Sequence, residues 1–172
     1  MIDLSKTSVI HVVEDLHASS GGPSRSIVQL IDAISKQNQI TIKVFSQALL
    51  GEKVIHSKES QVKHVEFKTS SRLSKKFSII SFYRFYKLIK TNKPSIIHCH
   101  GIWSLHNHWA IFLARRKKVP YIVHTRGMLL PHALKFKAIK KYIAMILFQR
   151  KDLNHASILI ATSKAERDSL RD

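Results

Sequence analysis

Apolar and polar positions along this chain switch repeatedly between a two-residue and a helical period. Val9, Ile10, Val12 and Val13 form a short, mostly apolar, β-branched run, as in a strand buried on both faces. After Gly21-Gly22-Pro23, the residues Ile27, Leu30, Ile31 and Ile34 recur at helical spacing, so the opening reads as strand, glycine turn, helix. Further strands are expected at Ile40–Phe45, Val62–Phe67, Ser95–His100, Val119–His124 and Ser157–Ala161. Helices are expected over Phe77–Lys90, with Phe82, Phe85, Tyr86 and Ile89 on one face, and over Trp103–Ala114. A long helix is expected from Pro131 to Asn154, with an apolar stripe of Phe136, Ile139, Ile143 and Ile146 or Leu147. Ser163 and Glu166 have capping-box spacing and open a last helix. Met1–Lys6 is a polar lead-in, and Gln47–Ser60 and Lys68–Lys76 read as exposed loops.

Alternating strands and helices predict an α/β fold, a doubly wound parallel sheet with helices on both faces. Six strands fit the order 3-2-1-4-5-6, in which ligands bind at the carboxyl ends of the strands near the switch point between the first and fourth. The polar residues there are Glu14 to Gly22, His98 to Gly101 and His124 to Gly127. The turns at Gly22, Gly101 and Gly127 are expected to line one groove.

The 172 residues suffice for one domain with a core, and a hydrophobic fraction of 44% is ordinary. A lone cysteine, Cys99, excludes an internal disulfide, and its mid-strand position reads as a small buried residue rather than a nucleophile. No secretory pattern opens the chain, so the cytoplasm is the expected compartment. No apolar run approaches the roughly 20 residues of a membrane span. The charge is unusual: 29 Lys and Arg against 11 acidic residues, a formal net charge of +18. Such a surface attracts nucleic acid, anionic lipid or phosphorylated substrates.

The glycine turn is neither G-x-G-x-x-G nor a Walker P-loop. It could simply join strand to helix, but the eight polar residues from Glu14 to Gly21 exceed the usual connection and favour a working loop. Free N–H groups at the helix start suit an anion, and Arg25 adds a charge there. His98-x-His100 and His106-x-His108 could be read as a four-histidine metal site, but no carboxylate or second cysteine lies nearby in sequence, and no metal is expected. The basic helices Phe77–Lys93 and Lys135–Lys151 admit two readings, a solvated face of sheet-packing helices or attachment to anionic lipid. Nucleic acid is not expected, since zinc-finger, RNP and basic-zipper patterns are missing.

Four stretches carry a resemblance: the Gly21-Gly22-Pro23 loop, PSIIHCHGIW (Pro94 to Trp103), HTRGMLLPHAL (His124 to Leu134) and ATSKAER (Ala161 to Arg167). Together, in this order, they resemble the N-terminal, acceptor-side half of the GT-B-fold, retaining, nucleotide-sugar-dependent glycosyltransferases of family four, which build lipopolysaccharide, capsule and related glycans. The resemblance implies that residues 1–172 form a Rossmann-like N-terminal domain. It also implies that Gly21 and Gly22 close over donor phosphates and that His100 and Gly101 face the cleft. Many relatives carry a histidine before the glycine after strand five. Here that position is Arg126, with His124 two residues upstream, so Arg126 steadies either a phosphate or the acceptor.

The expected site is therefore Arg126, His124 and His100 for chemistry. Gly21, Gly22, Arg25, Gly101, Gly127 and, as a weaker choice, Asp15 are expected to bind substrate or phosphate. The family's second domain, which holds most of the donor and two glutamates eight residues apart, is not among these residues. The chain is accordingly expected to have little activity alone, as a truncated reading frame or one half of a split enzyme. The expected partners are a nucleotide-diphosphate sugar, used as substrate with no cofactor, a glycan or lipid-linked acceptor, the missing half, and the inner membrane face. The competing expectation is a non-catalytic basic module that binds anionic membrane or another polyanion.

Overall fold

In the computed structural model, residues 7–37 and 40–171 are described; the lead-in expected at residues 1–6 lies outside the described residues. The strands β1 (Ser8–Val13), β2 (Thr41–Leu49), β3 (Val62–Thr69), β4 (Ile96–His100), β5 (Tyr121–His124) and β6 (Ile158–Ile160) pair in parallel in one sheet. Their order is β3-β2-β1-β4-β5-β6, the doubly wound order with its switch point between β1 and β4. The helices are α1 (Gly22–Gln37), α2 (Arg72–Phe77), α3 (Ile79–Asn92), α4 (Leu105–Arg116), α5 (Pro131–Lys135), α6 (Ala138–Ala144), α7 (Arg150–Asn154) and α8 (Lys164–Ser169). A π-helical segment, Met145–Gln149, joins α6 to α7.

Side-chain alternation along the strands builds two cores. Ile10, Val12, Phe45, Ile97, Cys99 and Val123 face one way and pack with Phe85 and Ile89 of α3, Ala110 and Ile111 of α4, and Leu153 of α7. Val13, Ile42, Val44 and Val62 face the other way and meet Ile27, Val28 and Ile31 of α1. Cys99 is fully buried, and burial pushes its thiol pKa up, so it is a packing residue.

Three sequence expectations need correction. Lys68–Lys76 is not a loop: β3 runs to Thr69, and α2 follows, capped by the Ser71 hydroxyl accepting from the Ser74 amide at 3.1 Å. Gln47–Ser60 is not wholly loop either, since β2 extends to Leu49. The long helix from Pro131 to Asn154 is broken. Phe136 is extended and Lys137 is left-handed at φ 55°, which separates α5 from α6. The π segment then widens one turn and rephases the helix. As a result Gln149, Asp152 and Leu153 turn inward, and the Gln149 side-chain Oε1 accepts from the Trp103 backbone amide at 2.8 Å. Of the two readings of this helix, sheet packing fails for the apolar stripe, which is turned outward: Ile139 is 78% exposed and Leu147 72%.

The sheet also buries imidazoles. His11 and His98 are register partners across β1 and β4, and His100 and His124 across β4 and β5, so all four share the α1 side. His106 lies on the opposite side, stacked on Phe45 with centroids 4.9 Å apart. Burial, reinforced by the neighbouring His98 and Arg126, lowers the His11 pKa to about 3. Burial likewise lowers His98 and His106 to about 4, and His100 well below its ordinary value. These rings stay neutral when folded and take up protons when unfolded. Stability is therefore complete above an unfolded pKa of about 6.5 and is lost as pH falls through the window towards about 4. Urea unfolding compared at about pH 7 and about pH 5 is expected to show a loss on the order of 1–2 kcal/mol for each buried imidazole. An unchanged unfolding free energy would contradict this burial of neutral rings.

Candidate active-site cavity

Parallel pairing brings the carboxyl ends of β1, β4 and β5 to one rim. A cavity of about 160 Å³ opens there, lined among others by Val13, Pro23, Ser24, Gly101 and Arg126. All three predicted turns contribute to it. The first is carried by Pro23 and Ser24 at the start of α1, where Ser24 is buried; Gly21, at φ 71°, makes the turn that admits them. Arg25 is exposed and does not line the cavity, and neither do Gly21, Gly22 or Gly127 themselves.

The preceding loop is more ordered than its polar sequence suggests. Leu16 is fully buried, His17 bridges antiparallel to Val54, and the Ala18 amide donates to the Lys53 carbonyl at 2.9 Å. Asp15 does line the cavity, but its carboxylate pairs with the Lys75 ammonium at 3.2 Å, and Lys75 also holds Glu52 at 3.1 Å. Asp15 therefore anchors the loop to α2.

The second turn needs glycine twice over. Gly101 has φ 84°, and a Cβ there would meet the Met128 methyl at 3.2 Å. Asn107 of α4 fastens the turn by donating its side-chain amide to the carbonyls of His100 at 2.9 Å and Gly101 at 2.8 Å. Sequence reasoning missed Asn107; its place in the first turn of a helix that follows a glycine was the available signal.

The third turn is held from α8. The Glu166 carboxylate accepts from the Thr125 hydroxyl at 2.6 Å, from the Gly127 amide, and from the Thr162 amide and hydroxyl, both at 2.7 Å. Burial alone would raise its pKa, but these donors outweigh burial and hold it below the ordinary value. Half of the expected capping box is present, with the Ser163 hydroxyl accepting from the Glu166 amide at 3.1 Å. The other half is redirected into the turn, because Glu166 reaches Thr162 and Thr125 rather than the Ser163 amide.

Arg126 itself adopts φ 53°, a left-handed conformation. One guanidinium nitrogen donates to the Ser26 hydroxyl of α1 at 3.1 Å, and another to His100 Nδ1 at 3.2 Å. Its Nε is buried without a partner. Thus a fixed cation borders the cavity with N–H donors to spare. His124 lies beside it, both ring nitrogens buried and unpartnered; burial, then Arg126, lowers its pKa. His124 does not line the cavity, whereas His100 does.

The four histidines weighed as a metal set do not meet. His106 faces Ser81 across the other core, and His108 Nδ1 lies 2.7 Å from the Asp152 carboxylate. Instead His11 joins His98 and His100, with ligand atoms within 4.8 Å of one another. The Arg126 cation against His100 opposes a dication at their centre.

The fold recurs in solved structures. Sucrose-phosphate synthase from Thermosynechococcus elongatus aligns with a TM-score of 0.72 at 13% identity, over 96% of this chain and 44% of that one. UDP-GlcNAc 2-epimerase from Neisseria meningitidis bound to UDP-GlcNAc aligns at 0.63 and 16%, over 96% and 42%. The apo form of the lipopolysaccharide outer core galactosyltransferase WaaB aligns at 0.53 and 14%, also over 96% and 42%. This chain thus spans about two fifths of the length of these proteins. No curated protein matches the sequence. The model of Glycosyltransferase Family 4 matches residues 20–172, nearly the whole chain, and the chain belongs to that family.

Proposed function

We propose that this chain forms the acceptor-side half of a glycosyltransferase. In the proposed reaction a sugar moves from a nucleotide-diphosphate donor to a hydroxyl on a glycan or lipid-linked acceptor, in surface polysaccharide or lipopolysaccharide synthesis. The observation that supports this reading is the Arg126 guanidinium, fixed at the cavity rim by two uncharged acceptors. A departing diphosphate gains negative charge as the glycosidic bond breaks, and a preorganised cation stabilises it without reorganising. Arg126 is thereby assigned to phosphate rather than to the acceptor. His100 borders the reacting centre, and His124 supports Arg126 from behind the rim. The reaction as proposed uses no cofactor. Epimerases share the fold, but transfer is favoured here by the family match.

The acceptor reading has its own support. A second groove, of about 590 Å³, shares Glu14 and Ile102 with the cavity and continues past Trp103 and Phe77 to Ile143 and Leu147. An apolar acceptor tail would lie there while its hydroxyl reached the cavity. The exposed stripe of α6 and the π segment borders this groove, with Lys140 and Arg150 alongside. Among the described residues no helix is long and apolar enough to cross a membrane. Such a basic apolar ridge suits attachment at a cytoplasmic, anionic membrane surface.

Joined to the C-terminal half of a family member, the chain is expected to transfer sugar from one of a panel of nucleotide sugars. The 172 residues assayed by themselves are expected to show little or none, because the cavity encloses the donor from one side only. Arg126→Ala in the joined protein is expected to lower kcat/KM about 100-fold. Transfer unaffected by that change would remove Arg126 from the reaction, and no transfer at all would favour the non-catalytic basic module.

For the membrane, sedimentation with vesicles containing phosphatidylglycerol is expected to deplete the chain, and added salt to release it. Ile146→Asp with Leu147→Asp should abolish sedimentation while leaving thermal unfolding unchanged, both side chains being exposed. Equal binding to neutral vesicles would contradict the electrostatic part of this reading.

A further inference from the structure

The imidazoles behind Arg126 form a directed chain. His11 Nδ1 and His100 Nε2 are 2.9 Å apart, and His100 Nδ1 is 3.2 Å from the Arg126 guanidinium. His11 is buried beneath α1 at the centre of the sheet and does not line the cavity that Arg126 borders. The direction of each hydrogen bond follows from chemistry alone. A guanidinium only donates, so His100 Nδ1 accepts. A neutral His100 then carries its proton on Nε2 and donates it to His11 Nδ1, which leaves the His11 proton on Nε2.

We propose that His11 is a positioning residue: by accepting the His100 Nε2 proton it satisfies the one His100 tautomer that can present Nδ1 to Arg126, and so helps to hold the guanidinium at the cavity rim. Without an acceptor at His11, His100 Nε2–H is a buried donor with no partner. That cost falls on the one tautomer able to accept from Arg126, so the hold of His100 on the guanidinium weakens. The inference deepens the proposed role of Arg126 and rests on that reading only for its consequence. The tautomers themselves do not depend on it. His98 stacks on His100 with centroids 4.2 Å apart and keeps the ring in plane, but its Nε2 has no partner, so it does not join the hydrogen-bonded chain.

The test is nitrogen-detected NMR of the histidines in the full chain, which separates protonated from unprotonated ring nitrogens. His100 is expected to be protonated at Nε2 and bare at Nδ1, and His11 to be protonated at Nε2. His11→Asn places an amide oxygen close to the original Nδ1 and is expected to preserve the His100 pattern. His11→Leu removes the acceptor and is expected to move the His100 Nε2–H resonance as that hydrogen bond is lost, with Nδ1 still accepting from Arg126. Arg126→Leu leaves the core untouched and is expected to let His100 mix its two tautomers. Inorganic pyrophosphate is the probe of consequence: its Kd is expected to rise about tenfold in His11→Leu and to stay near the parent value in His11→Asn.

A proton on His100 Nδ1 in the parent chain would overturn the proposal. So would indistinguishable His100 patterns in the Asn and Leu variants, or added zinc displacing the ring protons of His11, His98 and His100 together. If the parent chain has the expected tautomers and does not bind pyrophosphate, the anion role of Arg126 fails and the tautomer assignment stands.

Discussion

A guanidinium can give hydrogen bonds and cannot take them, and that limit orders the whole rim of this sheet. Arg126 needs acceptors, and the fold supplies them from two elements distant in sequence: the Ser26 hydroxyl of α1 and the His100 ring of β4. Neither acceptor carries a negative charge, so the cation is held without being neutralised. This is the arrangement a phosphate site needs, since a carboxylate partner would compete with the ligand. Glu14 also lines the cavity, where burial raises its carboxyl pKa and favours the neutral form, and two other acids are spent elsewhere. Asp15 is tied to Lys75, and Glu166 to the backbone and hydroxyls of the turn that carries Arg126.

The rest of the structure serves that placement. The switch between β1 and β4 opens the rim, Gly101 keeps Met128 close, and Glu166 stiffens the third turn. Arg126 sits in a backbone conformation that a residue with a side chain adopts at some cost. The hydrogen bonds from Thr125 and Gly127 on either side offset that cost by fixing the chain before and after it.

Much of this was legible in the sequence, for identifiable reasons. The β-branched runs mark all six strands, and the alternation with helices fits the doubly wound order. Convergence of three turns followed from that order. What escaped notice depended on register and phase. That His11 faces His98, and His100 faces His124, is a matter of which residues pair across strands, and one sequence does not reveal pairing. Helical spacing leaves the Phe136 stripe open to either sheet packing or a lipid-facing surface. The left-handed Lys137 and the π segment change the phase, so Gln149 and Leu153 pack while Ile139 and Leu147 face outward. Glu166 was recognised at the right spacing but in a local role, whereas its buried carboxylate reaches forty residues back along the chain to Thr125.

The account turns on an anion meeting Arg126 at the junction of α1, β4 and β5. The most direct measurement is a crystal structure of this chain with uridine diphosphate. Phosphate oxygens are expected within hydrogen-bonding distance of the Arg126 guanidinium and of the first amides of α1, with the His100 contact retained. A diphosphate bound elsewhere on the basic surface, with the cavity beside Ser24 and Gly101 empty, would contradict it.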